Sequence, residues 1–278
     1  MLDAADPSEN RPPRVIPVID VMNGVVVRAV GGRREEYRPL VSRLTDSTDP
    51  VEVAPALLDR TGSDILYVAD LDAITRRVPS EVSARLADAF PDVWVWADIG
   101  LRDGEDARRF PEWRRRETRW PWRRWELRRN LLPVMGTETL EGEKAAGRVG
   151  GRFAPNVVVS LDLRDGLVLG YSEDWRKVWG VDGAGDIDRM VDALRMMTAA
   201  DQFIVLDLSD VGSGNGATTD YWLKRIKCGR PELAVVGGGG VRTWTDIDRL
   251  ARCHVDGVLV ASALHDGTLT FPRPTSSV

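Results

Sequence analysis

Two aspartates, Asp20 and Asp162, occupy matching places in two copies of one motif. The first copy reads VIPVIDVMNGVVVRAV at residues 15–30 and the second NVVVSLDLRDGLVLGY at residues 156–171. Each runs apolar residues into an aspartate, then three residues, a glycine and a second apolar stretch. Two carboxyl groups brought to one place can divide acid–base work. Burial and mutual proximity push their pKa values apart, so that one accepts a proton while the other donates one. A lone aspartate at a strand end as often caps the next turn. Two at matched positions favour the chemical reading.

The elements that must position them follow from the patterning. Short apolar runs recur: VIPVID, DILYVADLD, DVWVWADIG, LLPVMGT, NVVVSLD, QFIVLDLSD, LAVVGGGG and DGVLVAS. Continuous β-branched runs suit strands buried on both faces, hence a parallel sheet with helical crossovers. Between them EVSARLADAF and DIDRMVDALRMMTAA carry apolar residues at helical spacing. DPVEVAPALLDRTG predicts a helix with Asp49 as N-cap, Pro50 at its first position and Gly62 past its end, which Pro55 should disturb.

The eight runs pair in order. ILYVADLDAI matches FIVLDLSDV, DIGLRDGEDARRF matches GGGVRTWTDIDRL, and the MGTETL that ends run four matches VASALH after run eight. The chain therefore reads as a tandem duplication of a (βα)₄ half. Two halves close into an α/β fold, the TIM (β/α)₈ barrel, whose active sites form at the C-terminal ends of the strands. One barrel spans residues 1–278, with half-barrels at 14–140 and 153–267 and tails at 1–13 and 268–278. The duplication places Asp20 and Asp162 on opposite strands, facing each other across the barrel mouth.

Bulk properties set limits. The 278 residues can bury a full core, and a net charge of −5 argues against a general nucleic-acid binder. Cys228 and Cys253 make no metal-type spacing or disulfide framework, and no cluster of His, Cys and carboxylates implies a metal or cofactor. The opening MLDAADPSENRPPR has no signal-peptide core and no later run is long enough to span a bilayer, so a cytoplasmic protein is expected.

VIPVIDVMNGVVVRAV, YVADLDAI, VSLDLRDG followed by Trp175, VVGGGGVR and GVLVASALHDG together resemble the phosphosugar barrels of histidine biosynthesis. That family comprises the ribotide isomerase and the cyclase subunit of imidazole glycerol phosphate synthase. The resemblance runs from Val15 to about Gly267. It implies a ligand with phosphate groups at its two ends, held by the two half-barrels, with Asp20 and Asp162 as catalytic acid and base. For the isomerase the implied chemistry is an Amadori rearrangement of an aminoaldose to an aminoketose.

The phosphate sites are also readable. Gly238, Gly239 and Gly240 let the backbone approach a phosphate without an intervening Cβ, and Ala261 and Ser262 follow strand eight, where this fold commonly binds phosphate. Their first-half counterparts are Gly136 and Thr137. Arg28, Asp98, Arg102 and Asp207 complete the candidate substrate-binding set. Asp98 stands where the isomerase has glycine, and Asp207, followed by SDVGSGNGAT, where it has threonine. Both departures resemble a separate branch associated with methanopterin-linked one-carbon metabolism, which implies a different phosphorylated substrate. A third reading is a non-catalytic barrel that binds a phosphometabolite.

Residues 108–129 insert RRFPEWRRRETRWPWRRWELRR between strands three and four, ten arginines and four tryptophans against three glutamates. Arginine interleaved with aromatics could clamp a protein partner or stack on bases. A surface elaboration with arginine stems over tryptophan rings is the favoured reading. His254 belongs to a loop at the opposite end of the barrel, and His265 is expected as a solvated helix residue.

Overall fold

A computed structural model describes residues 2, 12–30, 32–78, 80–104, 106, 114–115, 126–127, 130–210 and 219–273. Eight strands run parallel around a closed barrel: β1 (Arg14–Met22), β2 (Ile65–Asp70), β3 (Trp94–Asp98), β4 (Leu131–Gly136), β5 (Val158–Arg164), β6 (Gln202–Asp207), β7 (Ala234–Gly238) and β8 (Gly257–Val260). Each pairs with the next, and β8 returns to β1 through the register Arg14↔Gly257 to Pro17↔Val260. Closure removes the sheet edges, so every strand is buried on both faces. Two short antiparallel segments, Val25–Arg28 and Arg38–Pro39, extend the sheet from β1.

The duplication appears in the register. Asp20 on β1 lies opposite Ala69, the penultimate residue of β2, and Asp162 on β5 lies opposite Leu206, the penultimate residue of β6. Ala69 is opposite Asp98 on β3, and Leu206 is opposite Gly238 on β7. Asp98 and Gly238 are therefore equivalent positions in the two halves. Strand side chains alternate, so residues two apart share a face. Ile16, Tyr67, Trp96, Val134, Val158, Ile204, Val236 and Leu259 form a buried cluster inside the barrel. Asp20, Asp98 and Asp162 share the parity of Ile16, Trp96 and Val158 on their strands. That parity aims all three carboxylates into the interior at the C-terminal end.

The outer faces of the strands pack on the helices in a second, larger cluster that includes Ile19, Val68, Val95, Leu161 and Val205. The helix Pro50–Thr61 starts as its sequence requires, with the Asp49 carboxylate accepting from the Val51 N–H at 2.8 Å and Gly62 ending it at φ 64°. Contrary to expectation, Pro55 leaves this helix uninterrupted. Proline costs about 3 kcal/mol inside a helix. Burial of Val53, Ala54, Leu57 and Leu58 offsets that, at about 1.5–3 kcal/mol for each large apolar side chain.

The predicted helices EVSARLADAF and DIDRMVDALRMMTAA form at Val82–Ala89 and Ile187–Thr198. Within the Arg/Trp-rich insertion only a short antiparallel pair is described, Arg114–Arg115 with Glu126–Leu127. The rest of the insertion, and the VGSGNGAT segment after Asp210, lie outside the described residues. No helix among the described residues is long and apolar enough to cross a membrane.

Candidate active site

One cavity opens at the C-terminal mouth of the barrel, and Asp20, Asp98 and Asp162 all line it. Asp162 is held firmly: the Ser160 hydroxyl donates to Oδ1 at 2.6 Å and the Glu138 N–H to Oδ2 at 3.0 Å. Asp98 accepts from the Gly100 N–H at 2.9 Å and from the Tyr67 hydroxyl at 3.2 Å. Gly136 marks how close the two carboxylates come. A Cβ on Gly136 would stand 2.7 Å from Asp162 Oδ2 and 3.9 Å from Asp98 Oδ2.

Burial and mutual repulsion act on these groups together. Loss of solvation and the Asp98 charge raise Asp20 to about 7. The same two causes raise Asp162 to about 7, against the hydrogen bonds from Ser160 and Glu138. Burial brings Asp98 to about 6 although the Gly100 N–H favours its charged form. The three therefore titrate as a coupled set near neutrality, with protonated and ionised members present together. Tyr67 is buried beside all three, and burial and their charges hold its hydroxyl well above the usual phenol range, as a donor. Burial and Asp20 push Tyr37, also on the cavity wall, up to about 12.

The other end of the cavity is different in kind. Gly239 and Gly240, in the turn after β7, have φ of 87° and 72°, and both line the cavity with Arg242, Ala261 and Ser262. A Cβ on Gly239 would meet the Asp207 carbonyl at 3.0 Å, so this turn is available only to glycine at low cost. Asp266 lines the same end. Although burial would raise it, hydrogen bonds from Thr268 and the charges of Arg242 and Arg28 keep its pKa below the ordinary carboxylate value.

The model of the histidine biosynthesis protein family matches residues 14–120 and 122–270 of this chain. The chain belongs to that family. An uncharacterised protein of Methanocaldococcus jannaschii is 28% identical over 256 residues, which cover 92% of this chain and 95% of the relative. A phosphoribosyl imidazole-4-carboxamide isomerase of Haloarcula marismortui is 29% identical over 263 residues, covering 92% and 93%. Phosphoribosyl isomerase A of Mycolicibacterium vanbaalenii is 26% identical over 288 residues, covering 100% and 99%.

In this member of the family, Asp20, Arg28, Asp98, Asp162, Gly239, Gly240, Ala261 and Ser262 come together around the cavity. Five other predicted site residues do not line it. Asp207 is 1% exposed, and its carboxylate accepts from the Ser209 and Gly166 N–H groups at 2.9 and 3.0 Å, so it pins two loops. Arg102 donates from Nη2 to the Ile74 carbonyl at 3.4 Å and lies off the cavity wall. Its second-half equivalent, Arg242, is the one that lines the cavity. Gly238 makes room inside the barrel for Leu206 and Leu259, whose side chains lie 3.1 Å from its missing Cβ. Gly136 leaves space for Asp162, and the Thr137 hydroxyl accepts the Asp162 N–H at 2.9 Å. These two residues position the carboxylate and do not line the cavity.

His265 also differs from expectation. It is 5% exposed, with Nδ1 3.1 Å from the Ser42 hydroxyl, and burial lowers its pKa to about 4. The imidazole stays neutral and ties the loop at Ser42 to the turn after β8. Arg34, Tyr37, Tyr67, Glu138, Arg242 and Asp266 also line the cavity, and none of them is among the predicted site residues. Two of them had a signal. Arg242 is paired with Arg102 by the duplication, and Glu138 replaces the small Ala263 of the second half.

Proposed function

We propose that this protein is an enzyme that isomerises a phosphorylated sugar by aldose–ketose chemistry, with Asp20 and Asp162 as its acid and base. The observation that carries the proposal is the pair itself: two duplicated strand-end carboxylates on one cavity, both raised to about 7. An aldose–ketose shift needs a proton removed from one carbon and a proton supplied to an oxygen or nitrogen nearby. A group poised near the working pH serves both steps well. The names of the isomerase relatives support the same reaction class.

The substrate's phosphate is assigned to the turn of Gly239, Gly240 and Ser262, with Arg28 and Arg242 supplying positive charge at that end. Backbone N–H groups approach an anion closely where no Cβ intervenes. In the first half the equivalent turn packs Ile99 and Gly100 into the barrel wall. Asp98 occupies the strand-end position of Gly238, and a carboxylate about 4 Å from a phosphate costs ~4 kcal/mol at an effective dielectric of 20. That asymmetry favours a second reading within the same chemistry: a paralogue whose substrate carries one phosphate and a different group at its far end. One-carbon cofactor biosynthesis is the setting that the resemblance suggested for such a paralogue.

Complementation of a histidine auxotroph lacking the ribotide isomerase separates the two. Growth that D20N or D162N abolishes would establish the bisphosphorylated ribotide as substrate. No growth from a well-expressed, folded protein would assign the chemistry to the other substrate.

A further inference from the structure

At the first-half end of the cavity the small residues are already used. The space beside Gly100 is filled by the Ile74 Cα, 2.7 Å from where a Cβ would stand, and the space beside Gly136 by the Asp162 carboxylate. What faces the cavity there is an ion pair. Arg34 belongs to the short 3-10 turn Arg34–Glu36, and its Nη2 lies 3.1 and 3.2 Å from the two carboxylate oxygens of Glu138. Both side chains line the cavity and are 33% and 29% exposed. The pair spans from the loop after β1 to the loop after β4. The Glu138 N–H also donates to Asp162, so one partner of the pair holds a proposed catalytic carboxylate.

We propose that Arg34 is a specificity residue that binds a carboxylate at the phosphate-free end of the substrate, and that Glu138 occupies this position until the substrate displaces it. This deepens the phosphosugar reading and rests on it. A guanidinium fork matches a carboxylate in shape and charge, and the structure already seats one on Arg34. A phosphate dianion would bring a second negative charge toward Asp98 and Asp162. A carboxylate replaces the charge of Glu138 one for one, and the Glu138 side chain, already partly exposed, can turn into solvent. The exchange makes the site selective, because a ligand with no anion at this end leaves Glu138 in place.

Calorimetric titration of the full-length protein with three probes tests this. The probes are 6-phosphogluconate, with a phosphate and a carboxylate; glucitol 6-phosphate, with the phosphate alone; and fructose 1,6-bisphosphate. Removing the internal competitor in Glu138→Gln should tighten 6-phosphogluconate about tenfold, the size of one charge-assisted contact, and leave glucitol 6-phosphate within about twofold. Arg34→Ala should bring 6-phosphogluconate down to the affinity of glucitol 6-phosphate, and Arg34→Lys should fall between. Melting temperatures of all variants check folding.

An unchanged ratio between the first two probes in both Glu138→Gln and Arg34→Ala, with glucitol 6-phosphate still bound, would overturn the role of Arg34 alone. A larger gain for the bisphosphate than for 6-phosphogluconate would overturn the assignment to a carboxylate. Failure of glucitol 6-phosphate to bind the wild-type protein would overturn the phosphate turn, and this proposal with it.

Discussion

Replacing Asp20 or Asp162 with asparagine keeps the shape of the side chain and removes its exchangeable proton. Each change should lower turnover at least ~10²-fold, the usual scale for loss of a general acid or base. The same variants make a prediction about stability. A carboxyl whose folded pKa stands at about 7 takes up protons on folding at any pH between its unfolded and folded values. Its favourable contribution is complete below the unfolded value and is lost as pH rises through about 7. D20N and D162N should therefore melt a few degrees above wild type at pH 8, with the gap closing toward pH 4. Lower melting temperatures at pH 8 would show that these carboxylates are structural. Both aspartates were legible in the sequence because the repeat gives them twice. Tyr67 was not, since a tyrosine inside an apolar run is an ordinary residue until the barrel closes around it.

The turns after β3 and β7 show how one duplicated element takes two geometries. After β7, Gly239 adopts φ 87° against the Asp207 carbonyl. Gly239→Ala should weaken binding of inorganic phosphate at least tenfold, because a side chain in the left-handed region costs about 1–2 kcal/mol and moves the N–H groups. Unchanged phosphate affinity in a folded variant would remove this turn from the site. After β3, the equivalent residues Ile99 and Gly100 face the barrel wall, with Ile99 buried and Gly100 against Ile74. Glycine content alone did not separate the two turns. Gly238 and Gly136 read as phosphate ligands because glycine signals any close approach, and here the approaching groups are Leu259 and Asp162. The Asp49–Pro50–Gly62 helix signals were reliable because caps depend on neighbours in sequence. The surroundings of Asp207 were not legible for the opposite reason: its partners, Gly166 and Ser209, are set by the packing of two loops.

At the scale of the whole molecule, the eight apolar runs and their paired order made the barrel legible, since each strand has to be buried on both faces. The insertion between β3 and β4 belongs to neither copy of the repeat. Replacing residues 113–126 with a short Gly/Ser connection should leave a folded barrel that binds glucitol 6-phosphate as wild type does. Loss of that binding with an intact fold would make the segment part of the site.

The aspartates of the barrel mouth should stand poised between protonation states at neutral pH. Titration of a sample with ¹³C-labelled aspartate carboxyls, followed by NMR and assigned through D20N, D98N and D162N, tests it most directly. The account predicts signals from Asp20 and Asp162 with midpoints near 7 and one from Asp98 near 6, and removal of Asp98 should lower both of the others. Ordinary midpoints near 4 for Asp20 and Asp162 would contradict it.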